Sequence, residues 1–320
     1  MELVKCNLCG SWEHSHVYSK PDTLYCKEEW FTVVECNKCG LGFVNPMPGS
    51  NEIGKYYPPV FYDYFENEAS YHLRRYQTES EYLSGITTED KLLLDIGCAN
   101  GDFPRFMLSK GWRVEGVEVS ENSRPISEFK VFRMELTQIP ISEPRYDAIT
   151  AWAVLEHVHD PMAYFMKAGE ILKPGGLFVF LVTNFKSITS KHLFHEDVPR
   201  HLYFFTEETV KKYIEKAGLE LVLVDYSDKI YKMQPINWLR YFLFTYLLKR
   251  NLQWKDLPET RMEYLAKHNL KKNAFNNFRY ALTHPLTVLD RALMPIYEKL
   301  QLITNSYGIV VYVARKPNHG

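Results

Sequence analysis

Residues 91–102 read KLLLDIGCANGD, and this stretch decides the fold. Leu92, Leu93 and Leu94 form an apolar run that ends in Asp95. A turn with Gly97 and Gly101 follows, and then a helical pattern through Phe103, Phe106, Met107 and Leu108. A continuous apolar run leading into a helix is the signature of a buried parallel strand entering a βα unit. The glycines let the backbone approach a ligand at the carboxyl end of the strand. The spacing Gly97-x-x-x-Gly101 lacks the third glycine of the dinucleotide fingerprint, which counts against a dehydrogenase. A carboxylate that closes an apolar strand is costly without a partner, so Asp95 is a candidate functional residue.

The pattern repeats outward. A second strand is expected over Arg113–Val119, and Glu118 lies in it. An acidic residue about 20 positions past a glycine turn suits both hydroxyls of a ribose. Further strands are expected at Val131–Met134, Tyr146–Val154, Leu177–Val182, Leu219–Tyr226 and Tyr307–Arg315. Helices are expected at Pro161–Leu172 and Thr206–Ala217, the latter capped by Thr206 and stopped by Gly218. Lys173-Pro174-Gly175-Gly176 reads as a turn. Alternation of this kind predicts an α/β, doubly wound sheet.

Taken together, DIGCANGDF, GVEVS, YDAITAWAVLEHVHDP and LKPGGLFVF resemble the class I S-adenosylmethionine-dependent methyltransferases. The resemblance covers residues 90–227 and returns at 307–316. It implies a seven-stranded Rossmann-like sheet whose last strand is antiparallel and lies between the fifth and sixth. It implies S-adenosylmethionine as cofactor. Gly97 and Gly101 would line its methionine part, with Asp95 supporting that loop through the amino group or water. Glu118 would hold the ribose hydroxyls and Glu135 the adenine amino group. Ala151 and Trp152 would pass the sulfonium. Cys98 reads as a small residue in a tight turn.

Four of the six cysteines fall as Cys6-x-x-Cys9 and Cys36-x-x-Cys39, each pair followed by a glycine. This is zinc-ribbon spacing, and four thiolates complete a tetrahedral shell with no open position. The expected role of Zn2+ is structural. Cys26 has no partner at that spacing and is left out of the shell.

Methyl transfer to a neutral hydroxyl needs a proton acceptor, and histidine suits that task at neutral pH. Three candidates stand after predicted strands: His157 in Glu156-His157-Val158-His159-Asp160, and His195 and His201 in the segment 195–201. The resemblance favours a loop-fixing role for His157 and places His201 before a helix that closes the site. A metal held by His195, Glu196, Asp197 and His201 is spaced poorly for one helical face. No Asn/Asp-Pro-Pro-Tyr/Phe segment is present, which argues against methylation of a base amine.

Four parts are expected: a ribbon over 1–48, a tyrosine-rich helical lid or linker over 49–88, a core over 89–228 and 301–320, and a helical insertion over 229–300. The second part holds Tyr56, Tyr57, Tyr62, Tyr64, Tyr71, Tyr76 and Tyr82, whose polar tips suit a polar ligand; a packed connecting helix explains them equally. The insertion holds 13 basic and five acidic residues, so its charge is +8 in a chain of net −1. Its segment Trp238–Leu248 (WLRYFLFTYLL) is too short to span a bilayer. It suits a helix buried against the core or a subunit, an anionic substrate, or a membrane surface.

The near-neutral total argues against whole-surface nucleic-acid binding. The absence of a secretory stretch at the N-terminus points to the cytosol, with peripheral membrane contact as an option. The ribbon fused to this core resembles bacterial methyltransferases of sugar, antibiotic and cell-surface polysaccharide pathways. The expected reaction is therefore O-methylation of a sugar, glycan or other small-molecule acceptor. C-methylation of a keto-sugar stays open. Two further readings are an RNA-modifying enzyme that uses the ribbon and insertion, and a non-catalytic cofactor-binding module. Oligomeric state is not legible.

Overall fold

The computed structural model describes residues 1–58, 69–121, 123–227, 229–231 and 233–318, with backbone alone for 69–72. Tyr62 and Tyr64, and the side chain of Tyr71, lie outside the described residues.

The N-terminal cysteines sit on a small antiparallel sheet. Strands β1 (His14–Pro21), β2 (Trp30–Cys36) and β3 (Gly42–Val44) pair in order. Helix α1 spans Ala69–Glu81. The core then alternates: β4 (Leu92–Ile96), α2 (Asp102–Ser109), β5 (Arg113–Val117), β6 (Lys130–Phe132), β7 (Tyr146–Trp152), α3 (Pro161–Ile171) and β8 (Leu172–Thr183). After α4 (Ile188–Leu193) comes β9 (Tyr203–Phe204), which pairs with β3 and so extends the N-terminal sheet. Helix α5 (Glu207–Lys216), β10 (Glu220–Asp225) and β11 (Ile309–Arg315) complete the core.

The central sheet has seven strands in the order β10-β11-β8-β7-β4-β5-β6. Strand β11 runs antiparallel to both neighbours, between β8 and β10; the pairings among β4 to β8 are parallel. The order reverses between β4 and β7, and such a switch point opens a crevice at the carboxyl ends of the strands. Side chains alternate between faces with period two. Phe178, Phe180 and Val182 join one apolar cluster, and Leu177, Val179 and Leu181 the other. With both faces covered, every residue of β4 and β7 is buried, and each large apolar side chain so placed contributes about 1.5–3 kcal/mol.

One expected turn is not a turn. Lys173-Pro174-Gly175-Gly176 belongs to β8. Gly175 N–H donates to Lys316 O at 2.8 Å and Lys316 N–H to Gly176 O at 2.9 Å. The ladder thus continues past the predicted break, and Gly175 takes φ +78° to follow it.

Between β10 and β11 lies the insertion. It contains α6 (Trp238–Phe242), a π-helical turn at Leu243–Leu247, α7 (Arg261–Lys267), α8 (Ala274–Thr283) and α9 (Pro285–Ile303). Trp238 is buried against Tyr297, in an apolar cluster with the N-terminal sheet, whereas Tyr246, Leu247 and Leu248 are exposed. No helix among the described residues is long and apolar enough to cross a membrane.

Candidate active site

A cavity of about 770 Å³ opens at the carboxyl ends of β4, β5 and β7. That size suits a cofactor with a small second ligand. Asp95, Gly97, Glu118, Glu135, Trp152, His157 and His201 all line it.

The glycine turn is built as its sequence demands. Gly97 has φ +68° and Gly101 φ +81°. A Cβ on Gly97 would lie 2.6 Å from Val154 Cγ2, and one on Gly101 2.8 Å from Ile126 Cδ1. Cys98 is a packing residue, since its Sγ fills the space a side chain on Gly116 would need. Asp95 is buried and accepts the Thr150 hydroxyl at 2.6 Å. Burial pushes its carboxyl up to about 8, against the Thr150 hydrogen bond. Glu118 stands just past the end of β5. Its two oxygens accept Ala99 N–H at 2.9 Å and Ser120 N–H at 2.7 Å, tying the strand end to the glycine turn. Glu135 accepts the Tyr164 hydroxyl at 3.0 Å.

Ala151 does not reach the cavity. It is wholly buried in β7, paired with Ile96 and Phe180. The crevice lies beyond the strand end, so Trp152, Ala153 and Val154 reach it instead. The Trp152 indole N–H is buried and has no partner.

The sequence reading missed Arg75. This α1 residue lines the cavity, with Nε 2.5 Å from Glu79 Oε1 and its guanidinium 4.6 Å from the Tyr231 ring centre. It is the only Lys or Arg among the described residues of the lining. Nothing in HLRRYQ distinguishes it from a surface arginine. Of the tyrosines, Tyr57 and Tyr76 line the cavity. Tyr56 is buried on Phe31 and donates to Glu29, and Tyr82 donates to Asp225.

The three histidines part company. His195 is exposed and outside the lining. His157 and His201 meet edge to face, ring centres 4.7 Å apart. His157 Nδ1 lies 2.9 Å from Arg200 O and 2.9 Å from the Tyr57 hydroxyl. A carbonyl only accepts, so Nδ1 carries the proton and Nε2 is the acceptor. Burial, reinforced by His201, pushes His157 down to about 3 and keeps it neutral. His201 Nδ1 lies 2.6 Å from Glu196 Oε2. Burial opposes charge on His201, but the Glu196 carboxylate outweighs it and raises its pKa. Glu196 is buried and also accepts the hydroxyls of Thr183 and Ser190. An imidazole oriented by a carboxylate on one nitrogen, with the other free to accept, is the arrangement of a general base.

Two clusters could hold a metal. The sulfurs of Cys6, Cys9, Cys36 and Cys39 lie within 4.8 Å of one another, with Cys6–Cys39 at 3.4 Å and Cys9–Cys36 at 3.5 Å. A tetrahedral zinc with bonds near 2.3 Å sets sulfurs about 3.8 Å apart, so the four converge to nearly that shell. Cys26 is outside it. The second cluster is Glu156, His157 and His201, within the same 4.8 Å span. Glu156 is fully buried, neither carboxylate oxygen has a partner, and burial pushes it up to about 7.

Residues 67–224 match the family described as Methyltransferase domain. The core has the fold of an S-adenosylmethionine-dependent methyltransferase. The Ubiquinone biosynthesis O-methyltransferase of Alkalilimnicola ehrlichii is 31% identical over 115 residues, 33% of this chain and 46% of that protein. Its counterpart in Cereibacter sphaeroides is 30% identical over 165 residues, 46% of this chain and 65% of that protein. The chain thus spans between about half and two thirds of these curated relatives. A solved SAM dependent methyltransferase from Archaeoglobus fulgidus shares the fold of the methyltransferase domain, with TM-score 0.50 and 16% identity over 82% of this chain and 99% of that one.

Proposed function

We propose that this protein transfers a methyl group from S-adenosylmethionine to a hydroxyl of a small acceptor, with His201 accepting the proton. The carrying observation is that His201, held by Glu196, lines the same cavity as Asp95, Gly97 and Glu118.

Bound S-adenosylmethionine supplies a sulfonium methyl with an excellent leaving group. The chain's own residues hold and orient. A cationic amino group beside Asp95 would draw its buried carboxyl to the ionised form and pair with it, and Arg75 suits a carboxylate. Glu118 would accept the ribose hydroxyls and Glu135 the adenine amino group. Alignment then supplies much of the rate. His201 takes the hydroxyl proton on Nε2 while Glu196 stabilises the imidazolium. His157, neutral and tied to Arg200 O, holds the wall beside it.

The acceptor reading shifts from the sugar or glycan first expected to a phenolic hydroxyl. Two relatives are named for ubiquinone biosynthesis as O-methyltransferases. Tyr57, Tyr76, Phe103, Trp152, Tyr164 and Tyr231 give the cavity aromatic walls. A phenol ionises near 10, within reach of an imidazole, whereas a sugar hydroxyl is a weaker acid. Zn2+ in the four-cysteine shell is proposed as structural, since the thiolates fill every position.

The unpartnered Glu156 carboxylate favours a second reading of the same step: a divalent cation held by Glu156, His157 and His201 that acidifies the hydroxyl. Chelator treatment that leaves the ribbon metal in place and abolishes turnover would select this reading over a free imidazole base.

The test is transfer of labelled methyl to catechol-type phenols and to nucleotide sugars, with Asp95→Ala as control. Label in the phenols, absent in the variant, is expected. Label in sugars alone would overturn the phenolic reading. No label in either, with cofactor binding intact, would overturn hydroxyl methylation of both classes. A wild-type rate in His201→Ala would remove His201 from the step.

A further inference from the structure

Helices α8 and α9 of the insertion are built inside out. On α8, Asn276 and Tyr280 face inward, and Phe275, Phe278 and Leu282 face outward. At 100° per residue those three lie within an arc of about 60°. On α9 the inward residues are Thr287, Asp290, Tyr297 and Gln301. Leu289, Ile296, Leu300 and Ile303 are exposed and again fall within about 60°. Gln301 is wholly buried with neither amide atom partnered, while Ile303 is 79% exposed. A surface helix of a water-facing protein shows the opposite arrangement. These stripes are continuous apolar surface of the kind that marks a contact.

Charge decides between occupants. The insertion carries +8, with Lys271, Lys272, Arg279 and Lys299 exposed on these two helices or immediately before them. A second copy would bring like charge against like. An anionic lipid surface offers both apolar depth for the stripes and negative headgroups for the lysines and arginines. Since no helix among the described residues is long and apolar enough to cross a bilayer, the contact lies in the interface plane. Tyr246, Leu247 and Leu248, followed by exposed Lys249 and Arg250, repeat the same combination.

We propose that α8 and α9 dock this protein on an anionic membrane surface. The proposal rests on no reading of the acceptor.

The test is flotation of the full chain with phosphatidylcholine vesicles, with and without about one third phosphatidylglycerol. Binding to the anionic vesicles alone is expected, weakening in high salt. Phe278→Ser with Ile303→Ser should lower it at least about tenfold. Lys271→Glu with Lys272→Glu should lower it at least about fivefold for each charge removed. These residues are exposed, so thermal unfolding and cofactor affinity should stay as in the wild type, which separates lost docking from lost folding. Equal binding to neutral vesicles would overturn the proposal. So would no binding to either, or binding indifferent to the serine substitutions. Dimerisation that the serine substitutions abolish, without vesicle binding, would assign the face to a second copy instead.

Discussion

Gly97→Ala separates two costs that the glycine turn combines. The backbone there has φ +68°. An L-residue in that region costs about 1–2 kcal/mol. The new Cβ would also lie 2.6 Å from Val154 Cγ2 and 3.3 Å from Cγ1. Ordinary contact needs close to a further ångström, so either the turn or Val154 must move. Overpacking of that kind costs about 1–3 kcal/mol more. Gly111→Ala is the control: φ is +81°, but nothing lies within 4 Å of its Cβ. It should carry the backbone cost alone. Calorimetric melting should therefore place Gly97→Ala below Gly111→Ala by about 2–4 °C for each kcal/mol of collision. The collision also displaces the cavity wall, because Val154 and Gly97 both line it. Titration with S-adenosylhomocysteine should show at least about tenfold weaker binding for Gly97→Ala, the equivalent of 1.4 kcal/mol, and near-wild-type binding for Gly111→Ala. Equal melting of the two variants with unchanged affinity would refute the argument that close approach, not backbone freedom alone, fixes glycine at 97.

Asp95 makes stability pH-dependent in a stated direction. Its carboxyl is raised to about 8 in the fold, against about 3.9 unfolded. Between those values the unfolded chain has released a proton that the fold retains, so rising pH costs stability. Asp95→Asn should gain on the wild type by up to about 1.4 kcal/mol per pH unit across that window, and no further above it. Urea unfolding at pH 5 and pH 8 checks this, and an identical difference at both would end it. Arg75→Lys keeps a charge but loses the planar fork between Glu79 and Tyr231. Calorimetric affinity for S-adenosylmethionine should drop about tenfold, the loss of one charge-assisted hydrogen bond; an unchanged value would take Arg75 out of the cofactor site. Cys36→Ser should lower zinc content and melting temperature together, as metal binding and folding are coupled. Retention of one zinc per chain would reject the four-cysteine shell.

How much of this was legible depended on distance along the chain. The turn from Asp95 to Gly101 is local chemistry, and the structure places both glycines at positive φ beside Asp95. The doubly wound α/β sheet followed from the alternation, and the place of the antiparallel last strand from the resemblance. Lys173–Gly176 misled because Pro-Gly-Gly punctuates most chains, whereas here a tertiary ladder to Lys316 overrides it. Ala151 and Trp152 came together from the resemblance; Trp152, at the end of β7, lines the cavity, and Ala151 stays inside the sheet. Arg75 and the Glu196–His201 pair had no signal of their own. A partner five residues away in a loop is set by the loop's path, and no periodicity reports that path.

The same reasoning explains why the N-terminal module belongs to the site. Arg200 is wholly buried, yet it holds residues from three parts of the chain. Its guanidinium donates to Asp22 at 2.8 Å, to Asp197 at 2.6 and 2.8 Å, and to Tyr56 O at 3.2 Å. Its carbonyl receives His157. Breaking such a pair leaves an uncompensated buried charge, at a cost of about 3–5 kcal/mol, so the loop 197–201 cannot shift without the N-terminal sheet shifting too. The ladder adds a second tie. Val44 N–H donates to Leu202 O at 2.9 Å, and β3 pairs with β9 immediately beyond His201. From Cys39 to His201 the path is therefore three residues to Gly42, the pairing of Gly42 with Phe204, and three residues back. A metal in the cysteine shell would touch no substrate, yet it would fix the strand on which the position of His201 depends.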